Sequence, residues 1–269
     1  MPWAKHTWEL SLRPIEEQGY VTVAVNTDSA DYVDLARGLM QSVKHWHPGA
    51  RTCLITDQPV TDPAFDHVRL ISAPDRDNPY ANDPQVFRLT PFRETIKLEA
   101  DMLIVSECSH WWNMLRHRDL VVSTGCNTWQ GHTGSNRHYR RVFDENSLPD
   151  VYNAITYWRL SVVAQEFFRW VQVIFSDWGR YRGLIRFPEA VPSTDLVYAM
   201  AAQIMGPELV TLPFAEYPRI THMKQHHAGT VGRDWTRELV WEYHDHELKI
   251  NTVAQWGAFH YHVKTWRPR

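Results

Sequence analysis

Two carboxylates stand two residues apart in Glu99-Ala100-Asp101, between the apolar segments Thr95–Leu98 and Met102–Val105. In extended or turned backbone such a pair converges on one hard cation through oxygen ligands. With Leu98 and Met102 on either side, both carboxylates are expected close to the core, where charge is costly unless something neutralises it. A divalent metal carrying a diphosphate does that. An acidic turn that caps a strand end, or that pairs with Lys97, accounts for the same residues. His226-His227 and His244-x-His246 also have spacings a metal can use. They lack paired cysteines or a helical HExxH, so structural zinc is not expected there. His222 is a rival ligand that reads first as a satisfied structural histidine. Arg137-His138-Tyr139-Arg140-Arg141 and Trp178-Gly179-Arg180-Tyr181-Arg182 interleave cations with aromatics. Such patches suit phosphate backbones and stacked or flipped bases, and equally a solvated surface turn.

Positioning these groups requires a scaffold, and the spacing of apolar residues supplies one. Tyr20–Val25 is short, β-branched and bounded by polar residues, which predicts a buried strand. Asp28 or Ser29 is suited to cap the helix that follows, with Tyr32, Leu35, Ala36, Leu39, Met40 and Val43 at helical spacing, stopped by Pro48-Gly49. Thr52–Thr56, ending in Asp57, and Val68–Ile71 are the next strands. Strand, helix, strand in this order argues for βαβ units and a mostly parallel sheet. Asp57, at a strand's C-terminal end, lies at the crevice where open α/β sheets bind ligands. Residues 75–85 are expected as a loop, and Leu120–Ser123 and Val151–Tyr157 as strands. The Gly/Asn-rich stretch Gly125–Asp150 reads as a long functional or mobile loop. Val162–Trp178 is an amphipathic helix with Val163, Phe167, Trp170 and Ile174 on one stripe. Ser193 or Thr194 caps a shorter helix through Ile204, ended by Gly206-Pro207. His222–Arg269 shows no clear periodicity.

The 269 residues are 43% hydrophobic and 22% charged with a formal charge of −3, which excludes a disordered chain and a global basic field. Histidine (15) and tryptophan (13) are in excess, and both line polar, stacking sites. Met1–Leu12 has no signal-peptide core, and no apolar run approaches the length of a membrane helix. Cys53, Cys108 and Cys126 form no CxxC pair or disulfide framework, so a reducing, cytoplasmic setting is the simplest reading. No protein partner can be inferred.

The segment Thr95–Ile104 resembles the DxD segment of GT-A glycosyltransferases, typically "yLDaDvlv", with Glu99 where the family has its first aspartate. The order of the other parts is similar too. Ala24–Asp28 ends the first strand in a polar turn, and a helix starts near Tyr32. Tyr152-Asn153-Ala154 is like the family's "fNaGv", and Asp195 starts a helix. His260-Tyr261-His262-Val263-Lys264-Thr265-Trp266 resembles the "HxxGxxKPW" ending of the glycogenin-like branch, without its glycine. The resemblance implies a GT-A-like α/β fold: a mostly parallel central sheet flanked by helices, in a single domain (1–269) with a C-terminal lobe. Residues 18–124 would be the nucleotide-sugar-binding half and 125–269 the acceptor half.

The same resemblance implies a site. Asp101 would bind Mn²⁺ or Mg²⁺, with Glu99 on ribose or metal-bound water and His262, or else His260, completing the shell. Lys264 would meet the β-phosphate and Arg88 the diphosphate, through its fork of donors. Asn26, Thr27 and Tyr32 fall where the family holds the base. Asn153 and Asp195 would touch the donor sugar, Asp195 as the catalytic carboxylate. Sugar transfer needs a stabilised leaving diphosphate. An inverting reaction adds a base for the acceptor hydroxyl, and a retaining one stabilises an oxocarbenium-like state. The implied activity is transfer from a UDP-sugar to a hydroxyl. The chain also resembles tailed-phage GT-A proteins that act on hydroxymethylated DNA, which makes 5-hydroxymethylcytosine the expected acceptor in a host cytoplasm. A non-catalytic nucleotide- or nucleic-acid-binding protein with this fold, a transferase with another acceptor, and a metal-dependent hydrolase built on the His-rich tail are the alternatives.

Overall fold

The structure, a computed structural model, describes residues 16–75, 78–134, 141–212 and 218–268. The N-terminal stretch through Leu12 and the residues Arg137, His138, Tyr139 and Arg140 of the first cationic patch lie outside the described residues. The strands are β1 (Glu16–Val23), β2 (Thr52–Thr56), β3 (His67–Leu70), β4 (Phe92–Leu98), β5 (Met102–Ile104), β6 (Leu120–Thr124), β7 (Cys126–Asn127) and β8 (Thr133–Gly134). They continue with β9 (Val151–Arg159), β10 (Ile220–His222), β11 (Trp241–His244), β12 (Glu247–Ile250), β13 (Val253–Ala254) and β14 (Ala258–His260).

The central sheet has the order β3-β2-β1-β4-β9-β6. Strands β1 to β4 pair in parallel, as the βαβ pattern predicts. Strand β9 runs antiparallel to both β4 and β6, so the sheet is mostly parallel with one reversed member. After the 125–150 excursion the chain re-enters the sheet at Val151, beside Thr124, and runs back along β6. Consecutive residues alternate between two cores, Tyr20 and Tyr157 facing one side, Val21 and Trp158 the other. The first core is covered by the Tyr32–Trp46 helix and the C-terminal segments, the second by the Val162–Ser176 and Thr194–Met205 helices.

Local details differ from the sequence expectation. The Tyr32–Trp46 helix is capped by Asp31, whose Oδ1 accepts from the Asp34 amide at 3.0 Å, and not by Asp28 or Ser29. A Thr27–Ala30 bridge turns the chain first and delays the helix. The Val162–Ser176 helix buries Ala164, Phe167, Phe168, Val171 and Ile174, leaving Val163 and Trp170 at the rim. Trp170 is covered instead by the Arg169 guanidinium, 4.6 Å from its ring. Ser193 caps the Thr194–Met205 helix as expected, accepting from the Leu196 amide at 3.4 Å.

Two stretches expected without regular structure are ordered. A 3₁₀ helix, Pro79–Gln85, occupies the loop before β4, and the Gly125–Asp150 stretch contains β7, β8 and the Arg141–Glu145 helix. The tail supplies β10 and β14 to a second sheet, ordered β5-β14-β10-β7-β8, and forms the antiparallel ribbon β11-β12-β13. These strands are two to four residues long, too short for an alternating pattern to register. Gly257 enters β14 at φ +77°, and a Cβ there would lie 2.6 Å from the Arg219 carbonyl oxygen. Gly257→Ala is therefore expected to destabilise the fold by about 2–3 kcal/mol, read as a lower urea midpoint at unchanged slope.

Candidate active site

Parallel strands β1 and β4 end on the same side of the sheet, and beyond their C-terminal ends lies a cavity of about 380 Å³. This is where open α/β sheets bind ligands. Its acidic wall is the Glu99-Ala100-Asp101 link between β4 and β5. The segment after β14 adjoins that wall, and the cavity is also lined by Thr27, Tyr32 and the 193–195 helix start. Of the residues singled out from sequence, Thr27, Tyr32, Glu99, Asp101, Asp195, His260, His262 and Lys264 line this one cavity.

The other four do not line it. Asn26 sits just behind the rim, its Oδ1 accepting from the Val33 amide at 3.0 Å and fixing the helix start. Asn153 is fully buried within β9, its Oδ1 accepting from Thr156 Oγ1 at 2.7 Å. Asp57 follows β2 and Arg88 lies exposed on the Val86–Leu89 helix, and neither borders the cavity.

Asp101 is the hub. His260 Nε2 lies 2.9 Å from its Oδ2, Lys264 Nζ donates to the same oxygen, and His262 Nδ1 is 3.8 Å away. On the far side of the His260 ring, Nδ1 meets the Tyr152 hydroxyl at 2.5 Å and Glu99 Oε2 at 3.3 Å. The rings of His260 and His262 stack with centroids 3.7 Å apart, an approach made by the turn in which His262 takes a left-handed φ of +59°. Lys264 is steadied at 5.3 Å over the Tyr32 ring, and its carbonyl accepts from Arg267, which also donates to Asp34 at 2.6 Å.

Sequence reasoning offered Lys97 as a partner for the acidic pair and missed the buried group it actually belongs to. Lys97, 3% exposed on β4, donates to Asp83 of the 3₁₀ helix, and the Tyr198 hydroxyl donates to the other carboxylate oxygen of Asp83. Both Lys97 and Asp83 line the cavity, as do Tyr80, Tyr152, Ser193 and Lys224. The signal available for Lys97 was a cation in an otherwise apolar strand segment. Asp195, 7% exposed, accepts from the backbone amide of Asn153 at 2.8 Å, which ties the helix start to β9.

The two acidic groups are held in different states. Burial pushes the Glu99 carboxyl up to about 7, with the Asp101 and Asp195 charges adding to it against the pull of His260. Burial also acts on Asp101, but the charge and hydrogen bond of His260 and the charge of Lys264 hold it well below the usual carboxylate range. Burial lowers the His222 and His262 imidazoles well below their ordinary value, so both are neutral near pH 7. The Glu99 shift has a definite sign for stability. The folded chain binds a proton that the unfolded chain has released above pH 4.5, so stability present below pH 4.5 is lost as pH rises through about 7. With chelator present, the wild-type chain is expected to lose stability relative to Glu99→Gln between pH 5 and 8, measured as the difference in melting temperature at stepped pH.

The donor set fits a metal. Asp101, His260 and His262 each present an atom within 4.8 Å of those of the other two, and one carboxylate with two imidazoles suits a borderline divalent ion. No helix among the described residues is long and apolar enough to cross a membrane. No protein-family model matches the chain, and no protein of curated function does. Solved structures do match. The galactosyltransferase LgtC, crystallised with donor and acceptor sugar analogues, is 13% identical over 91% of this chain and 87% of its own, with a TM-score of 0.56. Mouse xyloside xylosyltransferase 1 is 9% identical over 94% of this chain and 100% of its own, also at 0.56. The chain therefore has the α/β fold of these two sugar transferases, with its cavity at the C-terminal ends of the central strands.

Proposed function

We propose that the protein is a metal-dependent glycosyltransferase that moves a sugar from a UDP-sugar to an acceptor hydroxyl. The observation that carries this is the convergence of His260, His262 and Lys264 on one carboxylate oxygen of Asp101 in the cavity wall. Asp101 with His260 and His262 would hold Mn²⁺ or Mg²⁺, and Glu99 reaches the same shell or the donor's ribose. When bound, the ion supplies charge neutralisation to the departing diphosphate.

The chain's own groups do the rest. Lys264, on the Asp101 side of the cavity, offers its ammonium to a phosphate oxygen. Tyr32 and Thr27 give an aromatic face and a hydroxyl at the rim for the base. Asp195 lines the cavity at a helix start, buried enough to act on a sugar or an acceptor hydroxyl without competition from bulk water. Asn153 acts through Asp195, since its peptide N–H fixes the carboxylate. Two proteins of the same fold are a galactosyltransferase and a xylosyltransferase, which supports sugar transfer as the reaction class.

Our reading of the acceptor is a hydroxymethylated base in DNA. A second cavity of about 440 Å³, lined by Arg141, Arg186 and Phe187 together with Glu145 and Glu189, shares Ser193 with the first. Cations and an aromatic ring beside the donor crevice suit a phosphate backbone and a flipped base, whose primary hydroxyl is the nucleophile. The test is a mass-spectrometric assay with Mn²⁺ and a panel of UDP-sugars, offered DNA with and without 5-hydroxymethylcytosine. A pentose or hexose mass gain on the modified base alone is expected. Donor hydrolysis without DNA gain would keep the transferase and discard the acceptor. No donor turnover at all would leave a nucleotide-binding protein.

A further inference from the structure

Behind the stacked histidines of the cavity lies a second group of ligand-bearing side chains, drawn from three segments. Cys126 is on β7, His222 ends β10, and His227 is in the short Gln225–Ala228 helix. All three are buried, at 1%, 0% and 4% exposure, and each presents an atom within 4.8 Å of those of the other two. Cys126 Sγ lies 3.8 Å from His227 Nε2. Around a tetrahedral zinc ion, bonds of about 2.3 Å to sulfur and 2.0–2.1 Å to nitrogen place those two atoms roughly 3.6 Å apart.

Two further observations point to a ligand. Both ring nitrogens of His222 are buried without a hydrogen-bond partner, so a neutral imidazole has been taken from water with nothing given in exchange. Across from the group, β8 carries Gly134, paired with Cys126. A Cβ at this position would lie 2.8 Å from His227 Nδ1 and 3.3 Å from Cys126 Sγ. Only a residue without a side chain leaves the imidazole and the thiol room to face one another.

We propose that Cys126, His222 and His227 form a second metal site, distinct from the Asp101 cluster, that holds zinc. The spacing His222-x₄-His227 falls within the range seen in structural zinc sites, and the cysteine that the histidine pairs of the tail lack is supplied from β7. The two sites sort ions by donor chemistry. A thiolate with two imidazoles selects zinc, whereas the carboxylate-bearing cluster in the cavity accepts the harder ions. On binding, the Cys126 thiol gives up its proton to solvent and the thiolate takes its place in the shell, with water in the fourth position. The ion would join β7, β10 and the Gln225–Ala228 helix directly beneath His262, whose ring centroid is 4.4 Å from that of His222.

The test is metal analysis and cobalt substitution of the full chain. Protein purified from zinc-supplemented medium and dialysed against a weak chelator is expected to keep about one zinc per chain. Asp101→Asn should keep it, and Cys126→Ala should lose it. Cobalt loaded into the wild-type chain should show a near-ultraviolet thiolate-to-cobalt charge-transfer band, a readout that requires no variant to fold. Cobalt bound without that band, or zinc retained equally in Cys126→Ala, would reduce the group to a buried Cys126–His227 hydrogen bond. Loss of zinc in Asp101→Asn would assign the ion to the cavity and overturn the proposal as well.

Discussion

Asp101→Asn is expected to lower sugar transfer on the order of 10³-fold or more and to abolish Mn²⁺-dependent binding of UDP, while the chain stays folded. The size follows from how much converges on one atom. A single Asp101 oxygen serves His260 and Lys264, with His262 close by, and asparagine offers that position a neutral carbonyl or an amide in place of a carboxylate. Lys264 then has no counter-charge at the cavity edge, and the imidazoles lose the partner that sets their orientation. Calorimetric titration of UDP with and without Mn²⁺ separates this loss from a failure of chemistry. Asp195→Asn provides the contrast: it should leave UDP binding intact and remove transfer. If both variants lose UDP binding, Asp195 serves structure and not reaction.

The second large effect concerns stability. Lys97→Met is expected to cost about 3–5 kcal/mol, because it leaves the Asp83 carboxylate buried with only the Tyr198 hydroxyl and no cation. For a chain of this size each kcal/mol moves the melting temperature by roughly 2–4 °C, so a drop on the order of 10 °C is expected in a thermal scan. Adding Asp83→Asn to Lys97→Met should restore much of it, since the stranded charge is then gone. A double variant no more stable than the single one would mean that Lys97 acts through packing against Tyr198, whose ring it faces at 5.3 Å, and not through charge.

What could be read in advance was whatever is written locally. The β-branched run through Val25, the helical spacing from Tyr32 and the acidic pair Glu99/Asp101 each carry their signal within a few residues, and the structure brings that pair to the cavity. His260, His262, Lys264 and Asp195 were reached by resemblance, and the cavity gathers them too. The Lys97–Asp83 pair escaped notice because it is a contact across 14 residues, reinforced by Tyr198 at 115, and no periodic pattern encodes that. The reversed direction of β9 was hidden for a similar cause, since an apolar run looks the same in either orientation. Asp57 follows the C-terminal end of β2, yet the cavity extends from β1 and β4 toward β14 and passes it by, while Arg88 sits on the short helix before β4 starts. Cys126 belongs to no CxxC pair, and only the fold sets it opposite His227, 101 positions away.

Strand β14 lies between β5 and β10, and this placement governs when the site can exist. Asp101 and His260 are separated by 159 residues of chain. At roughly 5–20 residues per second on the ribosome, Asp101 emerges about 10–30 s before the histidine that completes its surroundings. Through that interval the nascent chain has its β1–β4 layer available for pairing but no strand to fill the gap beside β5. The buried aspartate is then an open negative charge at an uncapped sheet edge. Until β14 is inserted, Asp101 lacks His260, His262 and Lys264, the three groups that surround its carboxylate in the folded chain.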